Sequence, residues 1–223
     1  MNIIVREFPR PDPAVAKGFE GIPTGVVSDA MGRSNTMAAE IKPVWKGARL
    51  LGPALTVRTF PADNLMLHKA ATLAKPGDVL VVNAGGYRDT AVFGDLMAYS
   101  LKVHGAGGIV IDGACRDAEG LEALPFPAFA RAVLPMGPSK GSAGAINVAI
   151  SCGGVPVRPG DIVLGDADGV VVIPQEQAAE ILKKSQATLA REQQVRGRIA
   201  RGEYLFDMQN LGEVLKSLGV AEQ

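Results

Sequence analysis

The sequence predicts an α/β fold, and three observations carry that prediction. Apolar runs of strand length, Val79-Leu80-Val81-Val82, Ile109-Val110-Ile111, Ile162-Val163-Leu164 and Val170-Val171-Val172-Ile173, are bounded by Gly, Pro and Asp turns, as buried strands are. Stretches with helical patterning accompany them, Leu65–Leu73 before the first run and Ala98–His104 between the first and second. The composition, 47% apolar but 5% aromatic with 27 glycines in 223 residues, suits a compact α/β protein with a substantial core rather than a disordered chain.

In chain order, residues 1–22 carry Pro9, Pro11 and Pro13 and read as an extended arm and a short helix. Thr24 or Ser28 can open the next helix, which runs through Asp29-Ala30-Met31 to a stop at Gly32. Residues 41–60 hold apolar runs broken by Gly47, Gly52 and Pro53, hence strands with bends. Lys75-Pro76-Gly77-Asp78 enters the first buried strand, and Arg158-Pro159-Gly160-Asp161 enters a later one in the same way. Pro-Gly suits the centre of a type II turn, with glycine at the positive φ. The repeated device suggests two layers of one β-rich domain. Asp166-Ala167-Asp168-Gly169 reads as a hairpin before Val170. From Gln175 to about Arg201 the chain turns helical, and Leu182, Ser185, Leu189, Glu192, Arg196 and Ile199 share one face. Half of that face is polar, which suits a helix lying against a neighbouring subunit. A short tail helix is expected from Glu203. No linker or low-complexity segment divides the chain, so one domain spans 1–223, with an N-terminal arm and a C-terminal helix.

Charge and motifs exclude several classes. Acidic and basic residues balance at 23 each, so no bulk field invites nucleic acid or an anionic membrane. No apolar run approaches the roughly 20 residues of a membrane helix, and Met1–Glu7 lacks the apolar core of a signal peptide. Cys115 and Cys152 have no CxxC spacing, which fits a reducing compartment. The expected location is the cytoplasm. His68 and His104 lack metal-ligand spacing and are expected to be partly buried helix residues, and no histidine adjoins Cys115 to make it a nucleophile.

The chemistry concentrates around Gly94-Asp95-Leu96-Met97 and Arg116-Asp117. A chain that starts a helix at Asp95, crosses over and ends a strand before Arg116 brings both segments to one edge of a sheet, where α/β folds place ligands. Two carboxylates and a guanidinium there can hold a hard divalent cation and an anionic oxygen substrate together. Each residue also has a plainer reading. Asp95 can cap its helix, and the Leu96 and Met97 amides can then serve either the cap or an anion. Arg116-Asp117 can be a loop ion pair. Glu192 can pair with Arg196 one turn on. Gly85-Gly86-Tyr87-Arg88, also after a buried strand, can be a glycine loop or a backbone cradle for an anion.

Gly94-Asp95, the helix after it, Gly105-x-x-Gly108-Ile-Val-Ile-Asp-Gly and Arg116-Asp117 resemble the RraA-like family, and Gly165-Asp166-Ala167-Asp168-Gly169-Val170-Val171 is similar to a second signature of it. The resemblance runs from about Gly25 to Gly202. The family includes class II 4-hydroxy-4-methyl-2-oxoglutarate / 4-carboxy-4-hydroxy-2-oxoadipate aldolases and proteins named as regulators of RNase E activity. It implies a swivelling-domain-like β-sandwich or barrel core flanked by helices, and trimers or hexamers with sites at subunit interfaces. It implies Mg²⁺ or Mn²⁺ on Asp117, Arg116 on the substrate and the pyruvyl carboxylate at Gly94–Met97. It further implies that Asp95 holds waters on the metal, which Glu192 reaches from a neighbouring subunit.

The expected activity is therefore metal-dependent cleavage of a 4-hydroxy-2-oxo acid to pyruvate and a second oxo acid, with oxaloacetate decarboxylation as a side activity. Lys102 and Lys140 have no obvious desolvated setting for a Schiff base. The alternative expectation is a non-catalytic protein that binds RNase E or a similar partner, since fold does not fix function.

Overall fold

The computed structural model describes residues 2–220 and falls into two compact units, Met1–Ser185 and Gln186–Gln223. The first unit opens with β1 (Ile3–Ile4) and α1 (Pro13–Gly18), where Pro13 takes the first helical position and Asp12 Oδ1 accepts the Ala14 amide at 2.8 Å. α2 (Thr24–Ala30) starts at Thr24 rather than Ser28. Its cap comes from far along the chain: the Asp166 carboxylate accepts the Thr24 amide at 2.9 Å and the Thr24 hydroxyl at 2.7 Å. The Gly-Asp-Ala-Asp-Gly signature thus has a structural task at this end.

A short edge strand, β2 (Lys42–Pro43), precedes the centre of the unit. There follow β3 (Leu50–Arg58), α3 (Leu65–Ala71), β4 (Val79–Asn83), α4 (Asp95–Val103), β5 (Gly108–Cys115), α5 (Ala118–Ala123) and β6 (Ala128–Val133). Strands β3, β4, β5 and β6 lie side by side in sequence order and all parallel, with Leu55, Leu80, Ile109 and Ala128 in register. These are three consecutive βαβ units, so every helix N-terminus after a strand sits at the carboxyl edge of the sheet.

β7 (Ala145–Ile146) extends the central sheet, pairing with β1 and β3. The later strands build a second layer, in which β8 (Ile150–Cys152) and β9 (Val155–Val157) form a hairpin. β10 (Ile162–Asp166) and β11 (Gly169–Ile173) form the expected hairpin. Alternation in the central strands feeds two cores. Leu80, Val82, Ile109 and Ile111 pack with Leu67, Leu101 and Leu121 of α3, α4 and α5. Val79, Val81 and Val110 face the other way, against Ile150, Val157, Val163 and Val172. The sheet therefore has helices on one face and strands on the other.

The two Pro-Gly-Asp turns flank a single strand. Gly77 and Gly160 have φ of 87° and 90°. Asp78 Oδ2 accepts the Lys75 amide at 2.8 Å, and Asp161 Oδ2 accepts the Arg158 amide at 2.7 Å. β3 bends at Gly52-Pro53, pairing antiparallel with β10 before the bend and parallel with β4 after it. β3 thus carries the chain from one layer to the other, and the two turns sit on its two neighbours.

Helix α6 (Ala178–Ile199) begins in the first unit, where Ala178, Ile181 and Ser185 are buried, and continues into the second. Along the expected seam Ser185 is buried, Leu182, Leu189 and Glu192 are half-buried, and Arg196 and Ile199 are exposed. The single tail helix expected from Glu203 is two, α7 (Leu205–Met208) and α8 (Leu211–Ser217). Asn210 separates them by adopting a left-handed φ of 54°, a conformation asparagine tolerates better than most residues. Among the described residues no helix is long and apolar enough to cross a membrane.

Candidate active site at the carboxyl edge of the sheet

Strand β5 ends at Cys115, and the next two residues turn over the sheet edge. The Arg116 amide donates to the Phe93 carbonyl at 2.9 Å, which docks this turn on the segment leading into α4. Asp117 adopts φ 61°, ψ 43°, uncommon for a non-glycine residue and frequent where function demands a strained backbone. Gly94, not Asp95, is the cap position of α4; Asp95 is its first helical residue. Asp117 Oδ2 accepts the Asp95 amide at 3.3 Å and lies 3.2 Å from Arg116 Nε. Sequence reasoning brought these residues to one edge, and the structure places them in contact.

The carboxylate of Asp95 turns back on its own helix, where Oδ1 accepts the Leu96 amide at 2.7 Å. The Met97 amide has no protein partner among the described residues. The two amides expected to share one task therefore differ: one is occupied by Asp95, the other is unpaired on a residue that lines the cavity. The side chains of Arg116 and Asp117 remain 43% and 37% exposed, accessible to a ligand.

Three glycines make this arrangement possible. A Cβ at Gly94 would run into Asp117 Oδ2 and lie 3.1 Å from Arg116 Cγ. One at Gly137 would come within 2.9 Å of Arg116 Nη1, and one at Gly120 within 2.9 Å of Asp95 Cβ. Only Gly94 was legible as part of a motif; Gly120 belongs to α5 and Gly137 to a loop, and sequence spacing does not show that either approaches the site.

The trio lines a cavity of about 280 Å³ together with Asn64, His68, Phe93, Gly94, Leu96, Met97, Pro138 and Lys140. Asn64, 6% exposed, donates to the Val92 carbonyl at 3.1 Å and leaves its Oδ1 without a partner. A buried amide oxygen without a donor is uncommon and marks a place for a ligand or water. His68 and His104 prove exposed rather than partly buried. His68 stands at the cavity, where loss of hydration on its inner side and then the Lys140 charge hold its pKa below the usual imidazole value. Lys140 is carried by a loop that buried Asp63 fastens: one oxygen, Oδ2, accepts from the Ser139 hydroxyl and the Gly141 and Ser142 amides at 2.9, 2.6 and 3.0 Å. Sequence spacing missed Asn64, His68 and Lys140 because they come from α3 and the loop before β7, remote from the central motif.

The remaining candidates have other surroundings. The Gly85-Gly86-Tyr87 amides are not free to cradle an anion, because they donate to Asn83 Oδ1 and to the Asp112 and Ala84 carbonyls. Cys115 is fully buried, and burial pushes its thiol up to about 12, which leaves it unreactive. Glu192 belongs to the second unit and forms no ion pair with Arg196 among the described residues. It borders a cavity of about 840 Å³ beside Val195, Ile199, Leu205 and Met208.

Among the described residues no three His, Cys, Asp or Glu side chains gather as a metal cage. One carboxylate with a free oxygen, Asp117, beside a second, Asp95, is the donor set of a hard cation that completes its shell with water and substrate oxygens, as Mg²⁺ commonly does. It does not suit a closed nitrogen and sulfur site.

A family model described as Aldolase/RraA matches residues 24–172, well over half of the chain. The chain belongs to the RraA-like family. The matched span of this RraA-like protein holds Gly94–Met97, Arg116 and Asp117, while Glu192 lies beyond it. It is 44% identical over 167 residues to a protein of Halalkalibacterium halodurans provisionally named a 4-hydroxy-4-methyl-2-oxoglutarate aldolase, covering 75% of this chain and 80% of that one. Its fold matches an uncharacterized protein from Pseudomonas syringae with a TM-score of 0.81 at 26% identity, covering 91% and 100% of the two chains. It also matches Streptomyces coelicolor RraAS2, described as an unusual member of the RNase ES inhibitor RraA family, with a TM-score of 0.78 at 29% identity over 85% and 100%. A protein provisionally named an aldolase and a member of an RNase inhibitor family thus both stand among its relatives.

Proposed function

We propose that this protein is a divalent-metal-dependent pyruvate aldolase that cleaves 4-hydroxy-2-oxo acids, of which 4-hydroxy-4-methyl-2-oxoglutarate and 4-carboxy-4-hydroxy-2-oxoadipate are the family's examples. The observation that carries the reading is the contact of Asp95, Arg116 and Asp117 around one small cavity with an unpartnered amide oxygen beside it. Asp117 would hold the cation, and Mg²⁺ or Mn²⁺ bound there would supply Lewis-acid stabilisation of the 2-oxo group.

The chain's own residues account for the rest. The free Met97 amide at the start of α4 suits the substrate's C1 carboxylate. In the cleavage step the C4 hydroxyl loses its proton to a water oriented by Asp95, and the O–H electron pair becomes the new carbonyl bond. The C3–C4 bond breaks, and its electrons pass into the enolate of pyruvate. Arg116, fixed between Gly94 and Gly137, places positive charge where the enolate oxygen develops. Protonation at C3 then releases pyruvate. Oxaloacetate, losing CO₂ in place of a carbonyl product, reaches the same enolate, so decarboxylation is an expected side activity. No lysine needs to form a covalent intermediate.

The reading includes a trimer or hexamer in which Glu192 from a neighbouring chain orients the same water. Exposed apolar side chains support self-association: Leu96, Tyr99 and Val103 on α4, and Tyr204, Leu205 and Phe206 near α7. The second reading, a non-catalytic regulator of RNase E or a similar enzyme, is favoured by the description of the Streptomyces relative. Pyruvate release from oxaloacetate and from 4-hydroxy-4-methyl-2-oxoglutarate separates the two. Release that EDTA abolishes and Mg²⁺ or Mn²⁺ restores is expected. No release at saturating metal, together with inhibition of RNase E by the same preparation, would replace the aldolase with the regulator.

A further inference from the structure

Strand β5 carries one more residue than its neighbour β6 at one place. Ile111 faces Ala130, and the next matched pair is Ala114 with Ala132. Asp112 and Gly113 therefore stand opposite the single residue Arg131. A bulge of this two-against-one kind is uncommon between parallel strands, and bulges re-aim the strand that carries them. On its other edge β5 changes partner at the same point. Asn83, the last residue of β4, is in register with Asp112, whose carbonyl then accepts the Ala84 and Gly86 amides at 3.2 and 3.0 Å. From Ala114 onward the neighbour is the segment that leads into α4. Ala91 bridges Ala114, the Val92 amide donates to the Ala114 carbonyl at 2.9 Å, and the Arg116 amide donates to the Phe93 carbonyl at 2.9 Å. The pairing that docks Arg116 beside Gly94 thus begins at the bulge.

The bulge is fastened by its own side chains. Asp112 is 8% exposed; its Oδ1 accepts from Arg131 Nε, and its Oδ2 accepts the Gly153 amide at 2.7 Å. The Arg131 side chain is 13% exposed and reaches on to Glu40 at 3.4 Å. Glu40 also meets Arg88, on the loop between β4 and Ala91, at 3.6 Å. These outer pairs are half-exposed and contribute little. The inner pair is different, because removing one partner leaves the other charge buried without compensation. A Cβ at Gly113 would come within 2.9 Å of Ala84 Cβ and 3.2 Å of the Tyr87 carbonyl oxygen, so the glycine lets that loop lie against the bulge.

We infer that Asp112 and Arg131 are positioning residues, whose ion pair locks the β5 bulge and thereby sets where Arg116 stands against Gly94. The kinetic consequence rests on the aldolase reading; the geometric one does not. Both residues stand outside the lining of the trio's cavity, so they act through Arg116 rather than on substrate. Closing the bulge would shift the end of β5 by one residue, about 3.3 Å. A misplacement of about 1 Å at a reacting group can already cost 10²-fold in rate.

The test breaks the pair from either side. Asp112→Asn keeps the shape of the side chain, and Arg131→Met keeps the bulk and leaves Asp112 its bond from Gly153, so one folded variant suffices. With oxaloacetate and saturating Mg²⁺, each should lower kcat by roughly tenfold or more while KM stays within about threefold. In an Arg116→Ala background the same changes should cost no more than about twofold further, because the group they position is gone. Amide exchange of the metal-free protein supplies a readout without turnover. Val92 and Arg116 should exchange at least about tenfold faster in either variant, with Val81 and Val110 unchanged. Equal losses of kcat with and without Arg116, exchange that quickens throughout the sheet, or wild-type kcat in the folded variants would overturn the assignment and leave the pair a support of the fold alone. No pyruvate from the metal-saturated wild type would instead remove the aldolase reading, and the exchange pattern would then decide by itself whether the pair holds the Arg116 turn.

Discussion

The Asp117 carboxylate caps the helix that Asp95 begins, accepting the Asp95 amide at 3.3 Å while it lies 3.2 Å from Arg116 Nε. One side chain therefore fixes the end of β5 to the start of α4 and holds the guanidinium between them. Its charge also favours the positive end of the α4 dipole. A cation drawn to Asp117 would meet an oxygen whose position two elements already define.

Arg116 and Asp117 should fail in different ways. Arg116→Ala is expected to lower kcat for pyruvate release by roughly 10²-fold or more, the scale of losing one oxyanion partner. Arg116→Lys should recover little, because an ammonium lacks the planar fork. Asp117→Ala should instead weaken Mn²⁺ binding measured by calorimetry, and cost about 1 kcal/mol of stability with the lost cap. Near-normal turnover in a folded Arg116→Ala protein would remove that residue from the mechanism.

Gly94→Ala tests the close approach. The added Cβ meets Asp117 Oδ2 and the Cγ and Nε of Arg116, side-chain atoms rather than backbone. Thermal stability should stay near wild type while kcat falls more than tenfold. If kcat and melting temperature fell together, the glycine would be serving the fold and not the site.

Asp63 should govern an acid transition. Burial pushes its pKa up, but hydrogen bonds from the Gly141 and Leu65 amides, the Ser139 hydroxyl and the Ser142 amide outweigh it, so the folded value lies below 3.8. A lowered folded pKa means a contribution present above the unfolded value and lost as pH falls through the folded one. Stability measured by urea titration should therefore decline below about pH 4, and Asp63→Asn should flatten that limb. The same variant should loosen the Ser139–Ser142 loop and raise KM through Lys140. An unchanged acid limb would assign the transition to other carboxylates.

Glu192 tests whether the site is shared. Glu192→Ala should reduce turnover without changing the oligomer seen by ultracentrifugation. Refolding it together with Asp117→Ala should restore partial activity, since some interfaces then carry both native residues. A fully active monomer, or mixtures that recover nothing, would confine the chemistry to one chain.

Much of the fold was legible because its strands are continuous apolar runs. Val79–Val82 and Ile109–Ile111 are buried on both faces, and no half-polar alternative competes with that pattern. Asp95, Arg116 and Asp117 were legible because one crossover brings them together. Asn64, His68 and Lys140 were not, since α3 and the loop before β7 supply them from outside the central motif, and that loop is held by Asp63, a carboxylate with no motif around it. The cap of α2 by Asp166 was hidden for the same reason: its partner lies 142 positions away. The split at Asn210 turned on one backbone angle, which no periodicity reports.

The course of β3 between two layers has a kinetic consequence. Its second half pairs with β4 after a short loop and one helix, whereas its first half waits for β10, more than a hundred residues further on (Pro53 with Ile162). Closing the longer loop costs more entropy and comes later. The four parallel strands that carry Asp95, Arg116 and Asp117 would then be assembled while the covering hairpins are still forming. Pulse-labelled hydrogen exchange should find the Leu80–Val82 amides protected ahead of Val163 and Leu164, and the reverse order would mean that the covering layer nucleates the fold.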